Sequence, residues 1–455
     1  MQRTLKYYLL AIVLCFTSVA QADEWVYTFR PGDTLWDICS KYVAAANCWN
    51  KIAQRNQIEN PRQVRPGTRL YLPIAWLKVK PAAATVVAVI GEAQIVRSDG
   101  SISAASLGST LAVGDALSTQ AGSVRLQFAD GSQLLIKSDS ELKMDTLSVY
   151  GDTGIADTRV RLNRGRARAT VRKNPNGSSR YEIITPAAVA AARGTAFRVS
   201  AVDGAVPTMR TEVVEGEVQV GDGSSAESVG AGFAVAASVG EGVSKSIALL
   251  EPPELEDSLP EAVTVFPWVL DWATLSGAET YRVEVLQVAE SKTLLDEYVT
   301  RDSKLTFDAL AEGLYELRVR GIDANNFEGF DSIVALNVVK PITVVQPVVN
   351  GVAKSTGEGK HTVSWSWDST DHVTRYKVEL SALCEGKRKA ETYHVEGRHF
   401  QSHHEHCEQV VAVISPVVTE QSMLPSVPVT VELPEEKRGM WAIILMALGL
   451  VALSL

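Results

Sequence analysis

The sequence predicts a multidomain, mostly β protein. One small strand–helix–helix–strand unit stands near its start and a short apolar helix at its end. Three observations carry this. Beyond residue 85, β-favouring runs such as Val86–Ile90, Ala93–Arg97, Ser123–Phe128 and Gln133–Ile136 alternate with Gly and Asp, as in the hairpin signal Phe128-Ala129-Asp130-Gly131-Ser132. Trp272 and Tyr281 recur as Trp367 and Tyr376, both displaced by 95 residues, the size of a β-sandwich. Two helical patterns follow Pro31-Gly32, and an uncharged apolar run closes the chain.

Length and charge bound the function. A chain of 455 residues holds several domains at about 100–200 residues each. Apolar residues make up 46% and charged residues 21%, an ordinary globular balance. The net charge of −9 argues against nucleic acid, whose phosphates need a basic face. Arg3 and Lys6, the apolar run Tyr7–Phe16 and Ala20-Gln21-Ala22 follow the order of a secretory signal, 1–22. Its removal leaves Cys39, Cys48, Cys384 and Cys407. An even count in an exported protein supports disulfides, and Cys39–Cys48 with Cys384–Cys407 is the simplest of three connectivities. Residues 439–455 carry no charge and read as a transmembrane segment. From Met440 a helix would reach about 24 Å, short against a hydrocarbon core of about 30 Å.

The first module, 24–75, opens with alternating Trp25, Tyr27 and Phe29. Pro31-Gly32 breaks that strand, and Asp33 or Thr34 can cap a helix running to about Val43. Leu35, Trp36 and Ile38 supply its apolar face, with Trp36 expected in the core. Asn47 is the expected cap of a second helix through Trp49, Ile52 and Ala53, and Pro66-Gly67 turns into a last strand ending at Pro73. Gly32-Asp33-Thr34-Leu35-Trp36, Asn56-Gln57-Ile58 and Pro66-Gly67-Thr68-Arg69-Leu70-Tyr71-Leu72-Pro73 resemble the LysM family. The resemblance implies a βααβ fold that binds N-acetylglucosamine chains, in bacteria chiefly peptidoglycan. By position it implies a groove between Gly32, Asp33, Thr34 and Leu35 on one side and Asn56, Gln57, Ile58 and Glu59 on the other.

After a Pro/Ala linker, 76–84, the domain 85–240 shows an internal echo. Gly91-Glu92-Ala93-Gln94-Ile95-Val96 is matched by the runs that start at Gly165 and Gly216. A turn glycine followed by alternation suggests stacked strands. Val113-Gly114-Asp115-Ala116-Leu117, Arg193-Gly194-Thr195-Ala196-Phe197 and Val214-Glu215-Gly216-Glu217-Val218 resemble the FecR family of periplasmic domains. In signalling members a cytoplasmic segment and a transmembrane helix precede this domain. Here a cleavable signal and a LysM-like module do, so anti-sigma activity is not carried over. Arg159, Arg161, Arg164, Arg166, Arg168, Arg172 and Lys173 are spaced as one strand face, either solvated or meeting an acidic partner.

A second linker, 241–259, leads to two modules, 260–341 and 343–434, that resemble fibronectin type III. Trp272 is an expected core residue and Tyr315 stands near the corner before the penultimate strand. All seven histidines lie between His361 and His406. His399, His403, His404 and His406 beside Cys407 fit no specific ligand spacing, so no metal site is assigned and no cofactor is implied. Outside that loop the sequence has no nucleophile–base pair and no zinc-hydrolase motif. The expected protein is a non-catalytic envelope component. It is exported to the periplasm, bound to peptidoglycan, held in the membrane by its C-terminal helix, and able to meet a protein partner through its β modules. The alternative is a FecR-type periplasmic receptor acting through a membrane partner.

Overall fold

The computed structural model describes residues 23–433, apart from 176–178, 256–259, 289–291, 369–372, 419–420 and 423. The signal at 1–22 lies outside the described residues. The described residues fall into two compact units. One runs through Glu251 and takes in Ser291–Leu295 and Gly321–Phe330; the other holds the remainder.

The first unit begins with strand β1 (Glu24–Thr28), helix α1 (Leu35–Tyr42), helix α2 (Trp49–Arg55) and strand β2 (Arg69–Pro73). The two strands pair antiparallel, with Tyr27 opposite Leu70 and Val26 opposite Tyr71. Trp25, Tyr27 and Phe29 point inward. Buried Leu35, Ile38, Cys39 and Tyr42 form the i, i+3, i+4, i+7 stripe of α1. Trp36 falls off that stripe and is 60% exposed, so the core position expected for it is corrected. Cys48, not Asn47, stands at the start of α2, and Asn47 takes a φ of 54°. Both disulfides form, Cys39–Cys48 and Cys384–Cys407.

The segment expected as a linker at 76–84 is ordered into this unit. Leu77 is buried, and Val79–Pro81 pairs with Ser148–Tyr150 of the strand Glu141–Tyr150. Ile155, from the turn beyond that strand, is 1% exposed and belongs to the core of the first module. The strands that follow form one sheet that closes on itself. Its long members are Ala84–Val96 against Ala116–Gln127, and Ala156–Thr170 against Glu141–Tyr150 and Ala196–Val202. The glycine echo has a steric cause. Gly165 has a φ of 99°, and a Cβ there would lie 2.1 Å from Ser140 Oγ. That hydroxyl accepts the Arg166 N–H at 3.0 Å, so the strands are locked together where only glycine fits.

Ala156–Thr170 also explains the row of basic residues. Val160 and Leu162 face inward, as do Ala167 and Ala169, so the inward parity switches from even to odd. Register shifts at Arg159/Val160 and Leu162/Arg164 absorb the change. Arg159, Arg161, Arg164, Arg166 and Arg168 therefore all stay off the core side. Several meet carboxylates within the same unit: Arg159 meets Asp157 at 2.9 Å and Arg161 meets Asp145 at 2.6 Å.

Val263–Phe266, Ser332–Thr343, Gly313–Ile322, Thr280–Gln287 and Thr293–Thr300 form a five-stranded sheet, most of whose residues belong to the second unit, and Trp268–Asp271 pairs with Lys304–Phe307. The last module has a three-stranded sheet of Val349–Gly357, Lys360–Trp367 and His399–Glu405. A second sheet is built on Lys387–Glu396, Arg375–Cys384 and Cys407–Val418. The 95-residue repeat is geometric as well as textual. Trp272 and Tyr281 rings lie 5.4 Å apart at 64°, and Trp367 and Tyr376 rings 5.3 Å apart at 63°. Tyr315 OH donates to the Ala311 carbonyl at 2.8 Å, the tyrosine-corner bond of such sandwiches. Arg320 is fully buried between Glu284 and Asp331, with Asp331 Oδ1 at 2.7 Å.

The expected C-terminal membrane helix is withdrawn from the fold. Among the described residues no helix is long and apolar enough to cross a membrane. The longest of them, α1, has 8 residues, against about 20 for a span. Residues 439–455 lie outside the described residues. The fold is multidomain and mostly β, with two short helices in its first module.

Candidate functional site

The residues expected to line a groove sit on the two loops that leave and re-enter the β1–β2 pair. On the first loop, Gly32 takes a φ of 90°, which a side chain would strain. The turn delivers Asp33 back onto β1. Its Oδ2 accepts from Tyr27 OH at 2.7 Å and from the Arg30 N–H at 2.7 Å. Burial, then the hydrogen bond to Asp33 and its charge, push the Tyr27 phenol up to about 12, so it remains a donor at neutral pH. The Arg30 guanidinium lies over the Tyr27 ring, 5.8 Å from its centre. Thr34 is the helix cap: its Oγ1 accepts the Asp37 N–H at 3.1 Å and donates to Asp37 Oδ2 at 2.6 Å.

The second loop is tied to β2 by Asn56. Its Nδ2 donates to the carbonyls of Ile52 at 2.9 Å and Tyr71 at 3.1 Å, and its Oδ1 accepts the Tyr71 N–H at 2.6 Å. One amide thus holds the end of α2 and both backbone groups of a β2 residue. Gln57 follows in the left-handed region at 55°, and the Ile58 N–H returns to the Ala53 carbonyl at 2.9 Å. Since Tyr71 adjoins Leu70, the register partner of Tyr27, the loops are anchored to neighbouring positions of one strand pair.

The eight residues therefore divide. Leu35 is 2% exposed and Ile58 packs against the module core. Asp33 and Asn56 are clamps, and Thr34 is a cap with an exposed side chain. Gly32, Gln57 and Glu59 are exposed. Sequence reasoning missed Trp36, whose exposed indole stands on α1 two residues after Thr34. The signal for it was the stripe itself, which is complete without Trp36. Trp49 and Tyr71 are also partly exposed, at 36% and 42%. The exposed side chains on and beside the two loops are thus an indole, Trp36, an amide, Gln57, and a carboxylate, Glu59.

Two family models match the chain: LysM domain over residues 27–73 and FecR protein over residues 115–219. The chain carries a LysM domain and a FecR domain. The LysM match spans both loops, and the FecR match starts at Asp115, inside the closed sheet. Asp115 is 4% exposed and is held by Arg97 Nη1 at 2.9 Å and by the N–H groups of Ala112 at 2.9 Å and Ser98 at 3.0 Å. Burial raises its pKa, but these three donors outweigh it and hold the carboxyl below its usual value.

Among solved structures, a candidate anti-sigma factor from Parabacteroides distasonis is 14% identical, with 29% of this chain and 57% of that one covered and a TM-score of 0.24. A second structure of that description and organism is 13% identical, covering 40% and 84%, with a TM-score of 0.25. The FN1–FN3 domains of chicken CNTN1 are 14% identical, covering 54% and 94%, with a TM-score of 0.22. At these TM-scores the likenesses carry no argument. No curated protein matches the chain in sequence.

LysM and FecR domains are non-catalytic families. With the two disulfides they suggest an extracytoplasmic protein. In the last module the described histidines are divided between faces, His361 and His404 buried and His394, His399, His403 and His406 exposed, and Cys407 is bonded to Cys384. Among the described residues no group of three or more His, Cys, Asp or Glu is gathered for a metal ion.

Proposed function

We propose that this chain is a non-catalytic, extracytoplasmic binding protein that holds N-acetylglucosamine-containing glycan, peptidoglycan in bacteria, at the Gly32–Leu35 and Asn56–Glu59 loops. The observation that carries this is the double anchoring. Asp33 and Asn56 fix both loops to one strand pair, while Gly32, Thr34, Gln57, Glu59 and Trp36 remain exposed. Fixed loops cost little to order on binding. Trp36 supplies an apolar face against which a sugar ring can lie. The closed β domain and the sandwiches then act as spacers or as docking surfaces for an envelope protein. The FecR match favours a second reading, in which the β domain is a regulatory element that meets a protein partner.

The test is co-sedimentation of the full chain with purified sacculi, with N-acetylglucosamine oligomers as competitors. The triple variant Trp36→Ala, Gln57→Ala, Glu59→Ala is expected to pellet at least about tenfold less, a loss of about 1.4 kcal/mol. Equal pelleting of the variant, or no effect of the oligomers, overturns the reading.

A further inference from the structure

The last module buries imidazoles where a sandwich ordinarily buries aliphatic side chains. On Lys360–Trp367 the inward face carries His361, Val363, Trp365 and Trp367; on His399–Glu405 it carries Phe400, Ser402 and His404. The register sets His361 opposite His404 and Val363 opposite Ser402. His361 is 5% exposed and His404 7%. His361 Nδ1 has no hydrogen-bond partner. His404 Nε2 shares a 2.8 Å bond with Ser402 Oγ, which accepts Trp365 Nε1–H at 2.9 Å. The Trp365 donor requires an oxygen lone pair, so the serine proton is available to a neutral His404 ring. His399–Glu405 is the edge of its three-stranded sheet, hydrogen-bonded to one neighbour.

We propose that the His361/His404 pair makes this edge strand acid-labile, so that mild acid releases His399–Glu405 from the sandwich and exposes the inner face of the module. An imidazolium at His404 would lose its role as acceptor from Ser402 and stand buried beside the His361 ring. The charged groups around it do not rescue it. On its own strand, His403 faces outward and shares a 2.9 Å bond with Thr362, and Glu405 is paired with Lys360 at 3.0 Å. On the opposite sheet, the Cys384–Cys407 disulfide carries no charge, and the exposed Glu391 favours the imidazolium but is outweighed by burial. Burial opposes the imidazolium most strongly, and His403 and His361 add to it, so the His404 pKa lies below the ordinary histidine value.

The sign follows. The unfolded strand takes up a proton near pH 6.5. The folded one takes it up only at lower pH, so stability is whole above about 6.5 and falls as pH drops toward the folded value. One such proton changes the local opening equilibrium about tenfold per pH unit across that window.

The experiment is hydrogen–deuterium exchange of the full chain from pH 7.5 to 5, corrected for intrinsic exchange. Peptides spanning 360–367 and 399–405 are expected to lose protection about tenfold per pH unit below 6.5. The strand Thr280–Gln287 serves as internal control. His404→Leu is expected to abolish the pH dependence while retaining protection at pH 7.5. Identical pH dependence in that variant, or equal loss in the control strand, overturns the proposal. If the variant does not fold, the C2-proton exchange of His404 in the natural chain decides: a titration midpoint at or above 6.5 overturns it.

Discussion

Replacing Asn56 by alanine tests whether its amide is the clamp that holds the second loop to β2. The substitution deletes three hydrogen bonds, two donated by Nδ2 to the Ile52 and Tyr71 carbonyls and one accepted from the Tyr71 N–H. At about 0.5–1.5 kcal/mol net for each, the gross loss is about 1.5–4.5 kcal/mol. Tyr71 is 42% exposed, so water can take over part of the work, and the expected cost is in the lower half, about 1.5–3 kcal/mol. The neighbouring Gln57→Ala removes an exposed side chain and should stay within about 0.5 kcal/mol. Hydrogen–deuterium exchange of the full chain reads both. In Asn56→Ala, peptides covering Trp49–Arg55 and Arg69–Pro73 should exchange about 10- to 150-fold faster, by the equivalence of about 1.4 kcal/mol per tenfold. In Gln57→Ala they should not change. Unaltered protection in Asn56→Ala would refute the clamp. A greater loss in Gln57→Ala would show that the second loop is fixed by something other than the amide.

Arg320→Leu leaves Glu284 and Asp331 buried without their cation and should cost about 3–5 kcal/mol, read as earlier urea unfolding of the second unit. Asp115→Asn weakens the charge-assisted bonds to Arg97, Ala112 and Ser98 and should cost about 2–3 kcal/mol. Because the Asp115 carboxyl is depressed, its contribution is present above the unfolded value of about 3.9 and lost as pH falls through the folded one; the variant should lose that part of the acid sensitivity in a pH-dependent melt. Ile155→Ala should loosen the LysM domain from outside its own sequence by about 2–5 kcal/mol, detected as faster exchange in Leu35–Tyr42. Opening Cys39–Cys48 by a paired Ser substitution removes a loop with a separation of 9 residues and should cost about 2.7 kcal/mol in the same helix.

Much of the fold was legible because its determinants are local. The Trp25/Tyr27/Phe29 alternation, the break at Pro31-Gly32 and the recurrence of Trp272 and Tyr281 as Trp367 and Tyr376 all state their geometry in a few residues. Trp36 was misplaced because an apolar residue type was weighed above its position. The helical stripe is filled by Leu35, Ile38, Cys39 and Tyr42, and a fifth large side chain has nowhere to go. The division of the eight residues expected to line a groove into clamps, core and exposed groups was not legible. Asn56 and Gln57 are adjacent polar residues, and only the β2 backbone, 15 residues away from Asn56, makes one of them structural. The parity switch in Ala156–Thr170 was hidden for the same reason, because a bulge is defined by the partner strand.

The packing of the first unit changes what a LysM domain means in this chain. A module of about 50 residues buries too little surface to be secure alone. Here the deficit is met from outside its family boundaries. Leu77 enters the core after the last strand, and Val79–Pro81 continues directly into the sheet of the β domain at Tyr150. Ile155, on the turn beyond, fills the same core. The Lys78 N–H donates to the Tyr42 carbonyl at 2.8 Å, so the exit strand is also bonded to the end of α1. A flexible linker would let the Gly32–Leu35 and Asn56–Glu59 loops reorient freely. This junction instead couples them to the closed sheet through shared core side chains and continuous backbone pairing. Load applied to either loop is therefore passed to the β domain and not absorbed by a hinge.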